Sequence, residues 1–174
     1  LELISEINKT HFLWVELGLQ TVHNETARLI NRCYDLDVFD DAMARLASRG
    51  IRTVVHLILG LPGESREMML DSVRYVASAE GLFGMKLHLL NVVKGSRMET
   101  AYADYQPFGS LEEYVSLVVD CLELIPPHVT IHRLTGDAPR PILISPPWSF
   151  NKRTILNGIN DRLNLLDTWQ GKKA

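Results

Sequence analysis

The stretch from His56 to Glu64, His-Leu-Ile-Leu-Gly-Leu-Pro-Gly-Glu, constrains the fold more than any other part of the chain. It continues a β-branched run that starts at Ile51, ends in a Gly-Leu-Pro-Gly turn, and is followed at once by a helical pattern. A strand, a tight glycine turn and a helix in that order form one unit of a parallel α/β fold. Ligands of such folds bind at the carboxyl ends of the strands, where glycines allow close approach of the backbone. We therefore expect this turn to lie beside a binding site.

Three other segments have strand character, and amphipathic helical patterns separate them. The predicted strands cover about Phe12–Leu19, Ile51–Leu59, Met85–Val93 and Val129–Leu134. The helical patterns are residues 24–31, the stripe Phe39, Met43 and Leu46 closed by Gly50, the stripe Met69, Val73 and Val76 closed by Gly81, the run Leu111 to Ile125 capped by Ser110 and Glu113, and a last helix with Leu156, Ile159, Leu163 and Leu166. Strand spacings of roughly 35 to 45 residues suit βα units, whose right-handed crossovers gather the loops on one face. The sequence predicts part of a βα barrel.

Composition narrows the class of protein. Of the 174 residues, 46% are apolar and 22% charged, which excludes a disordered chain, and the net charge of −3 gives no overall basic field for nucleic acid. A local basic groove is still possible.

No apolar run could span a bilayer and no signal peptide opens the chain, so we expect a cytoplasmic protein without a membrane partner. Cys33 and Cys121 are too far apart in sequence for a metal knuckle. Because Leu1–Lys9 resembles the end of a helix, we expect a fragment that begins inside a fold.

Polar side chains follow each predicted strand, and parallel strands would place them around one cavity. They are Glu16 and Gln20, then His56, then His88, Asn91 and Lys94, then His132 and Arg133. Each has a simpler interpretation as well. A single histidine at a strand end is more often a hydrogen-bonded structural residue, and Glu16 could pair with a neighbouring Lys or Arg. We expect Lys86 to extend its charged end past the amino end of its strand.

Several of these motifs together resemble the second half of a radical S-adenosylmethionine (SAM) barrel. They are Glu16-Leu-Gly-Leu-Gln20-Thr21, Ile30-Asn31-Arg32, His56 to Glu64, Lys86-Leu-His88, Lys94-Gly95-Ser96 and Arg133 to Asp137. The pattern is similar to a bacterial branch related to the Elongator catalytic subunit and to oxygen-independent coproporphyrinogen oxidase. The resemblance implies an α/β fold, the C-terminal part of a partial (β/α)6 TIM-like barrel. Residues 1–134 would form that half-barrel, and residues 135–174 an extension packed on it.

The resemblance also implies two cofactors, SAM and a [4Fe–4S] cluster held by a Cys-x₃-Cys-x₂-Cys loop. Relatives cleave SAM reductively at the cluster to a 5′-deoxyadenosyl radical. No such cysteine loop is present in the sequence. We therefore expect the cluster ligands upstream of Leu1, no metal ligand in this chain, and no activity from this chain alone.

By position in the family pattern, the resemblance assigns a SAM-binding set, and the polar residues at the ends of the later strands remain as substrate-side candidates. The SAM-binding set is Glu16, Gln20, Arg32, His56, Gly60 and Leu61, and the substrate-side set is His88, Asn91, Lys94, His132 and Arg133. The catalytic residue is not identified. One departure is Cys33-Tyr34, where relatives often have Gly-His.

Three hypotheses of function remain open from the sequence. The leading one is a radical SAM enzyme, with a tRNA base as a candidate substrate by analogy to Elongator and a flavodoxin or ferredoxin as electron donor. In the second, His56, His88 and His132 bind a divalent metal in a hydrolytic barrel. In the third, a barrel that has lost its cluster acts as a non-catalytic binding module.

Overall fold

The computed structural model describes residues 1–174 and contains six strands. They are β1 (Trp14–Gln20), β2 (Arg52–Leu59), β3 (Leu82–Leu89), β4 (Val92–Val93), β5 (Thr130–Arg133) and β6 (Leu143–Ser145). Four of them form a sheet in the order β1-β2-β3-β5, and every neighbouring pair is parallel. The remaining two, β4 and β6, form a separate antiparallel pair. The predicted parallel α/β architecture is confirmed.

Seven helices connect and cover the strands. They are α1 (Glu2–Asn8), α2 (Asn24–Leu29), α3 (Leu36–Ala47), α4 (Arg66–Ala77), α5 (Arg97–Ala101), α6 (Leu111–Leu124) and α7 (Lys152–Leu165), with a short 3-10 turn at Pro147–Phe150. None of them combines the length and the apolar character that a membrane crossing requires. The predicted cap of α6 is present, since the Ser110 hydroxyl accepts a hydrogen bond from the Glu113 amide at 3.2 Å. The Glu113 carboxylate accepts from the Gly109 amide instead of closing the cap on Ser110.

The two faces of the sheet differ in chemistry because side chains alternate along each strand. Leu57 and Leu59 of β2, with Leu87 of β3, are buried against the helices in a core of 25 residues. The residues between them, such as His56 and Lys86, point to the opposite face, which is only partly covered. This second face is the inner face of the partial barrel, and it carries most of the polar residues singled out above.

Two predicted elements differ from the structure. The strand expected over Met85–Val93 stops at Leu89, and the next two valines leave the sheet to pair with β6. The apolar stripe of α7 is correct at Ile159, which is buried, and at Leu163, which packs on the core, but not at its two ends. The predicted Leu156 and Leu166 are 43% and 48% exposed, and Ile155, at 0%, takes the place of Leu156. Both α7 and β6 pack on the rest of the fold, and Ile155 belongs to the same core. The division at residue 134 remains a prediction.

Candidate functional site

Two adjoining cavities open where the strands of the sheet end. Cavity I has a volume of about 750 Å³ and cavity II about 430 Å³. Cavity I is lined by the end of β1, the loop 29–34, the turn after β2 and helix α5. Cavity II is lined by β2, the end of β3 and the loop 136–142. Gln20, Ile58 and Leu90 belong to both linings and form the wall between the cavities.

The end of β1 is held in an unusual backbone conformation. Gln20 has φ +63°, a left-handed value uncommon for a residue with a side chain, and the pairing of β1 with β2 shifts register there. The Gln20 side chain lies across Gly18, where an added Cβ would come within 2.5 Å of the amide nitrogen. The absence of a Cβ at Gly18 leaves room for the glutamine amide, and a larger residue there would displace the end of this flexible side chain.

Arg32 holds this bend from the other side. Its Nη1 donates to the carbonyl oxygens of Leu19, at 2.9 Å, and of Thr21, at 2.5 Å. Its Nε donates to the carbonyl of Tyr34, and the guanidinium lies 4.6 Å from that ring's centroid. Burial lowers the pKa of Arg32 from its ordinary value. Arg32 lines cavity I, but most of its donors fix the loop after β1.

The glycine turn contributes one of its two predicted contact residues to cavity I. Leu61 lines that cavity and is 2% exposed. Gly60 lines neither cavity: its amide contacts the Met69 sulfur and its carbonyl accepts from the Tyr105 hydroxyl at 2.9 Å. The glycine is required here by φ +89° and by Phe108, which would lie 2.8 Å from an added Cβ.

One wall of cavity I was not predicted from the sequence. Arg97, Met98, Ala101 and Tyr102, from α5 and the residue after it, line the cavity. A helix of five residues has no apolar periodicity that could reveal it. Tyr34 was missed as well, and its hydroxyl donates to the Gly18 carbonyl at 2.6 Å.

A polar cluster of Glu16, His56, Lys86 and His88 lies on the inner face beside cavity II. Glu16 Oε2 is 2.9 Å from His56 Nε2 and 2.6 Å from Lys86 Nζ. The hydrogen bond from Lys86 is the largest cause that lowers the pKa of Glu16 to about 2. The prediction that Lys86 extends past the amino end of its strand is therefore wrong, since its side chain is 17% exposed and paired. The simpler interpretation of Glu16, pairing with a neighbouring cation, is what the structure contains.

Burial lowers the pKa of both histidines in this cluster. It is the largest cause for His56, with Lys86 adding to it and Glu16 opposing it. For His88 burial, with Arg133 next, lowers the pKa to about 4. The two rings lie 5.3 Å apart between centroids, and both line cavity II. Both imidazoles are neutral at pH 7.

The substrate-side set is divided by the structure. His88 and Asn91 line cavity II, and the Asn91 amide donates to the Ser149 hydroxyl at 2.8 Å. Lys94, His132 and Arg133 line neither cavity. Lys94 is exposed, and Arg133 lies 3.8 Å from Asp137, which also pairs with a lysine of α7.

His132 belongs to an aromatic cluster toward the amino ends of the strands. Its ring lies 5.5 Å from Trp14 and 5.9 Å from Phe83 between centroids, and its edge covers Gly84. His132 therefore does not join His56 and His88. No group of three or more His, Cys, Asp or Glu side chains is arranged to hold a metal ion. The hydrolase hypothesis lacks its ligand set.

Two family models match successive parts of the chain. The radical SAM superfamily model matches residues 1–76, and the radical SAM C-terminal domain model matches residues 83–164. Among solved structures, archaeal Methanocaldococcus infernus Elp3 with an N-terminal deletion is similar in fold. Its TM-score is 0.76 at 20% identity, with 92% of this chain and 39% of that chain covered.

Curated relatives agree with these matches. The uncharacterized protein YtqA of Bacillus subtilis is 44% identical over 170 residues, which cover 97% of this chain and 52% of YtqA. Protein YhcC of Escherichia coli is 37% identical, with 87% of this chain and 49% of YhcC covered. The tRNA uridine(34) acetyltransferase of Dehalococcoides mccartyi is 30% identical, with 72% of this chain and 28% of that protein covered. The chain thus spans about half the length of the first two relatives. Because the two family models match successive parts of the chain and the fold is similar to that of Elp3, the chain belongs to the radical SAM superfamily, as its motifs predict.

Proposed function

We propose that this chain forms the C-terminal half of the barrel in a radical SAM enzyme, with SAM bound in cavity I and the substrate in cavity II. Membership of the superfamily implies SAM and a [4Fe–4S] cluster as cofactors. The observation that carries the proposal is the strained bend at Gln20, which Arg32 fixes at the junction of the two cavities. Strained backbone that the surrounding structure holds in place is typical of functional sites.

Cavity I fits SAM by size and by chemistry. Its volume of about 750 Å³ lies within the range of small-molecule sites, roughly 300–1,000 Å³. Leu61 and Ile30 offer apolar surface for a flat base, and the amides of Gln20 and Asn31 offer hydrogen-bonding groups for hydroxyl and carboxylate oxygens. We leave Glu16, His56 and Gly60 out of the proposed SAM site, because none of them lines cavity I.

The cluster does not fit the residues of this chain. Cys121 is fully buried in α6, where burial raises its pKa to about 12, and Cys33 is exposed in the loop before α3. Two separated thiols do not make a cluster site, so its ligands would come from the part of the relatives that this chain does not cover. In the full-length protein, the two cofactors together would supply the one-electron chemistry of this superfamily.

The residues of this chain would position both reactants. Arg32 fixes the loop after β1, Leu61 and α5 enclose cavity I, and Gln20 separates cofactor from substrate by one side chain. We further propose a tRNA base as the substrate, supported by the relatives named tRNA uridine(34) acetyltransferase and Elongator complex protein 3. A flavodoxin or ferredoxin as reductant, and a location in the cytoplasm, belong to the same proposal.

The test uses the full-length protein that carries this chain, reconstituted anaerobically with iron and sulfide. We expect SAM to bind and 5′-deoxyadenosine to form when dithionite is added. Gln20→Ala should weaken SAM binding about tenfold, the loss expected for one hydrogen-bonding side chain. The matched control Arg45→Gln, on the surface of α3 where the Arg45 side chain pairs with its helix neighbour Asp41, should bind as the parent does. Absence of SAM binding by the parent would overturn the proposal, and binding without 5′-deoxyadenosine would favour the non-catalytic module.

A further inference from the structure

Glu16 and His56 form a carboxylate–imidazole pair that the SAM site does not use. Both carboxylate oxygens have further partners, since Glu16 Oε2 also accepts from Lys86 and Oε1 accepts from the Trp14 indole at 3.1 Å, although the side chain is 38% exposed. On the other side His56 lines cavity II together with His88. The imidazole therefore lies between a hydrogen-bonded carboxylate and the polar lining of cavity II.

The ionised carboxylate decides the tautomer of His56. A carboxylate whose pKa is about 2 accepts hydrogen bonds only, so His56 Nε2 carries the proton that it shares with Glu16. The lone pair of the neutral ring then lies on Nδ1. Nδ1 makes no hydrogen bond within the protein, and it is not among the enclosed unpaired atoms. It is an accessible acceptor in the lining of cavity II.

The charges around His56 come from all the strands that pack beside it. Glu16 on β1 raises its pKa, whereas Lys86 on β3 and Arg133 on β5 lower it. His88 on β3 is neutral and lies beside the ring. With burial as the largest cause, the balance keeps His56 unprotonated at neutral pH. A base must be unprotonated before it can accept a proton.

We propose that His56 is the general base of cavity II and that Glu16 is its positioning residue. The step is a heterolytic proton transfer from an O–H or N–H group of the substrate to His56 Nδ1. The X–H bond breaks, its electron pair stays on the substrate atom X, and a new N–H bond forms on the imidazole. The carboxylate of Glu16 stabilises the imidazolium that results, as the carboxylate does in other carboxylate–histidine pairs. Naming the partner of this step as the enzyme's substrate rests on the proposed function, but the tautomer and the access to Nδ1 do not.

Three measurements on the full-length protein test this assignment. Long-range ¹H–¹⁵N spectra of the protein labelled with ¹⁵N-histidine should give the Nε2–H tautomer for His56 at pH 7. Diethyl pyrocarbonate, which acylates neutral imidazole, should modify His56, with the exposed His128 as the internal reference by peptide mapping. The pKa of His56 should fall by about one unit in Glu16→Gln, because an attractive charge at hydrogen-bond distance is lost. In Lys86→Met it should move in the opposite direction.

The variant His56→Gln separates this inference from the SAM site, because glutamine keeps a donor for Glu16 and removes the base. It should bind SAM within about twofold of the parent, less than the effect of one hydrogen bond. The inference is overturned if His56→Gln weakens SAM binding as much as Gln20→Ala does. It is also overturned if His56 is charged or carries its proton on Nδ1 at pH 7, or if the reagent spares His56. A parent that fails to bind SAM while His56 behaves as expected would instead count against the proposed function.

Discussion

The two glycines of the Gly-Leu-Pro-Gly turn give a stability prediction with a built-in control. Gly60 and Gly63 have similar left-handed backbones, with φ +89° and +84°. Their surroundings differ: an added Cβ at Gly60 would lie 2.8 Å from both Phe108 and Pro107, whereas Gly63 has nothing within 4 Å. Replacing each by alanine therefore separates the backbone term from the packing term.

The backbone term should be the same at both positions. A left-handed conformation costs a residue with a Cβ about 1–2 kcal/mol, so Gly63→Ala should lower the free energy of unfolding by that amount. Gly60→Ala adds a methyl group to a packed contact, which costs about 1–3 kcal/mol more. The total expected for Gly60→Ala is about 2–5 kcal/mol. The difference between the two losses in free energy of unfolding measures the steric cost of the contacts with residues 107–108.

Urea unfolding of the full-length protein, followed by tryptophan fluorescence, gives the comparison. In a double-mutant cycle, Gly60→Ala should cost less free energy of unfolding in the Phe108→Ala background than in the parent, because residues in contact are coupled energetically. Equal losses for Gly60→Ala and Gly63→Ala, within about 0.5 kcal/mol, would refute the packing explanation. Packing by Pro107 and Phe108 would then not account for the requirement for glycine at position 60.

Three further predictions concern charged groups around the cavities. Glu16 has a folded pKa lowered from 4.5 to about 2, so its stabilising effect is present above pH 4.5 and is lost as pH falls toward 2. Glu16→Gln should therefore lose less stability than the parent over that window in urea titrations; parallel curves would contradict this. Burial raises the pKa of Glu64, which accepts from Thr21 at 2.5 Å, so its contribution declines as pH rises. Glu64→Gln should gain stability relative to the parent as pH rises from 4 to 7, and a difference in melting temperature that does not depend on pH would contradict this. Arg32→Lys removes the fork that binds two carbonyls and should speed amide exchange at residues 19–21 and weaken SAM binding at least tenfold; unchanged exchange would show that the bend needs no such support.

The strands of the sheet could be predicted because they are short apolar runs bounded by clear turn and helix-cap signals. The turn after Leu59 and the cap at Ser110 are local signals, and both are present. The strand past Leu89 failed because Val92 and Val93 have strand propensity of their own, but their partner is β6, some 50 residues later. Propensity reports that a residue will be extended and does not report what it will pair with.

The candidate site was predictable in its types of residue and less so in their grouping. Gln20 and His56 were assigned to one SAM-binding set, yet Gln20 lines both cavities and His56 lines only cavity II, because the inner face is wide enough for two cavities. In the pairing of β3 with β5, Met85 pairs with Ile131 and Lys86 with Arg133, so the register shift leaves His132 without a partner on β3. No sequence signal marks such a bulge. The ion pair of Glu16 with Lys86 spans 70 positions, beyond the reach of any periodicity.

The wall of Gln20, Ile58 and Leu90 also limits how this chain can change during evolution or redesign. Each of the three residues lines both cavity I and cavity II. A larger residue chosen to fit a new molecule on one side would also reduce the space on the other side. Substitutions that change what a cavity accepts should therefore occur in segments that line one cavity only. These segments are α5 for cavity I and the loop 136–142 for cavity II. Variation among homologous chains is expected to concentrate there, while the three wall positions change together or remain fixed.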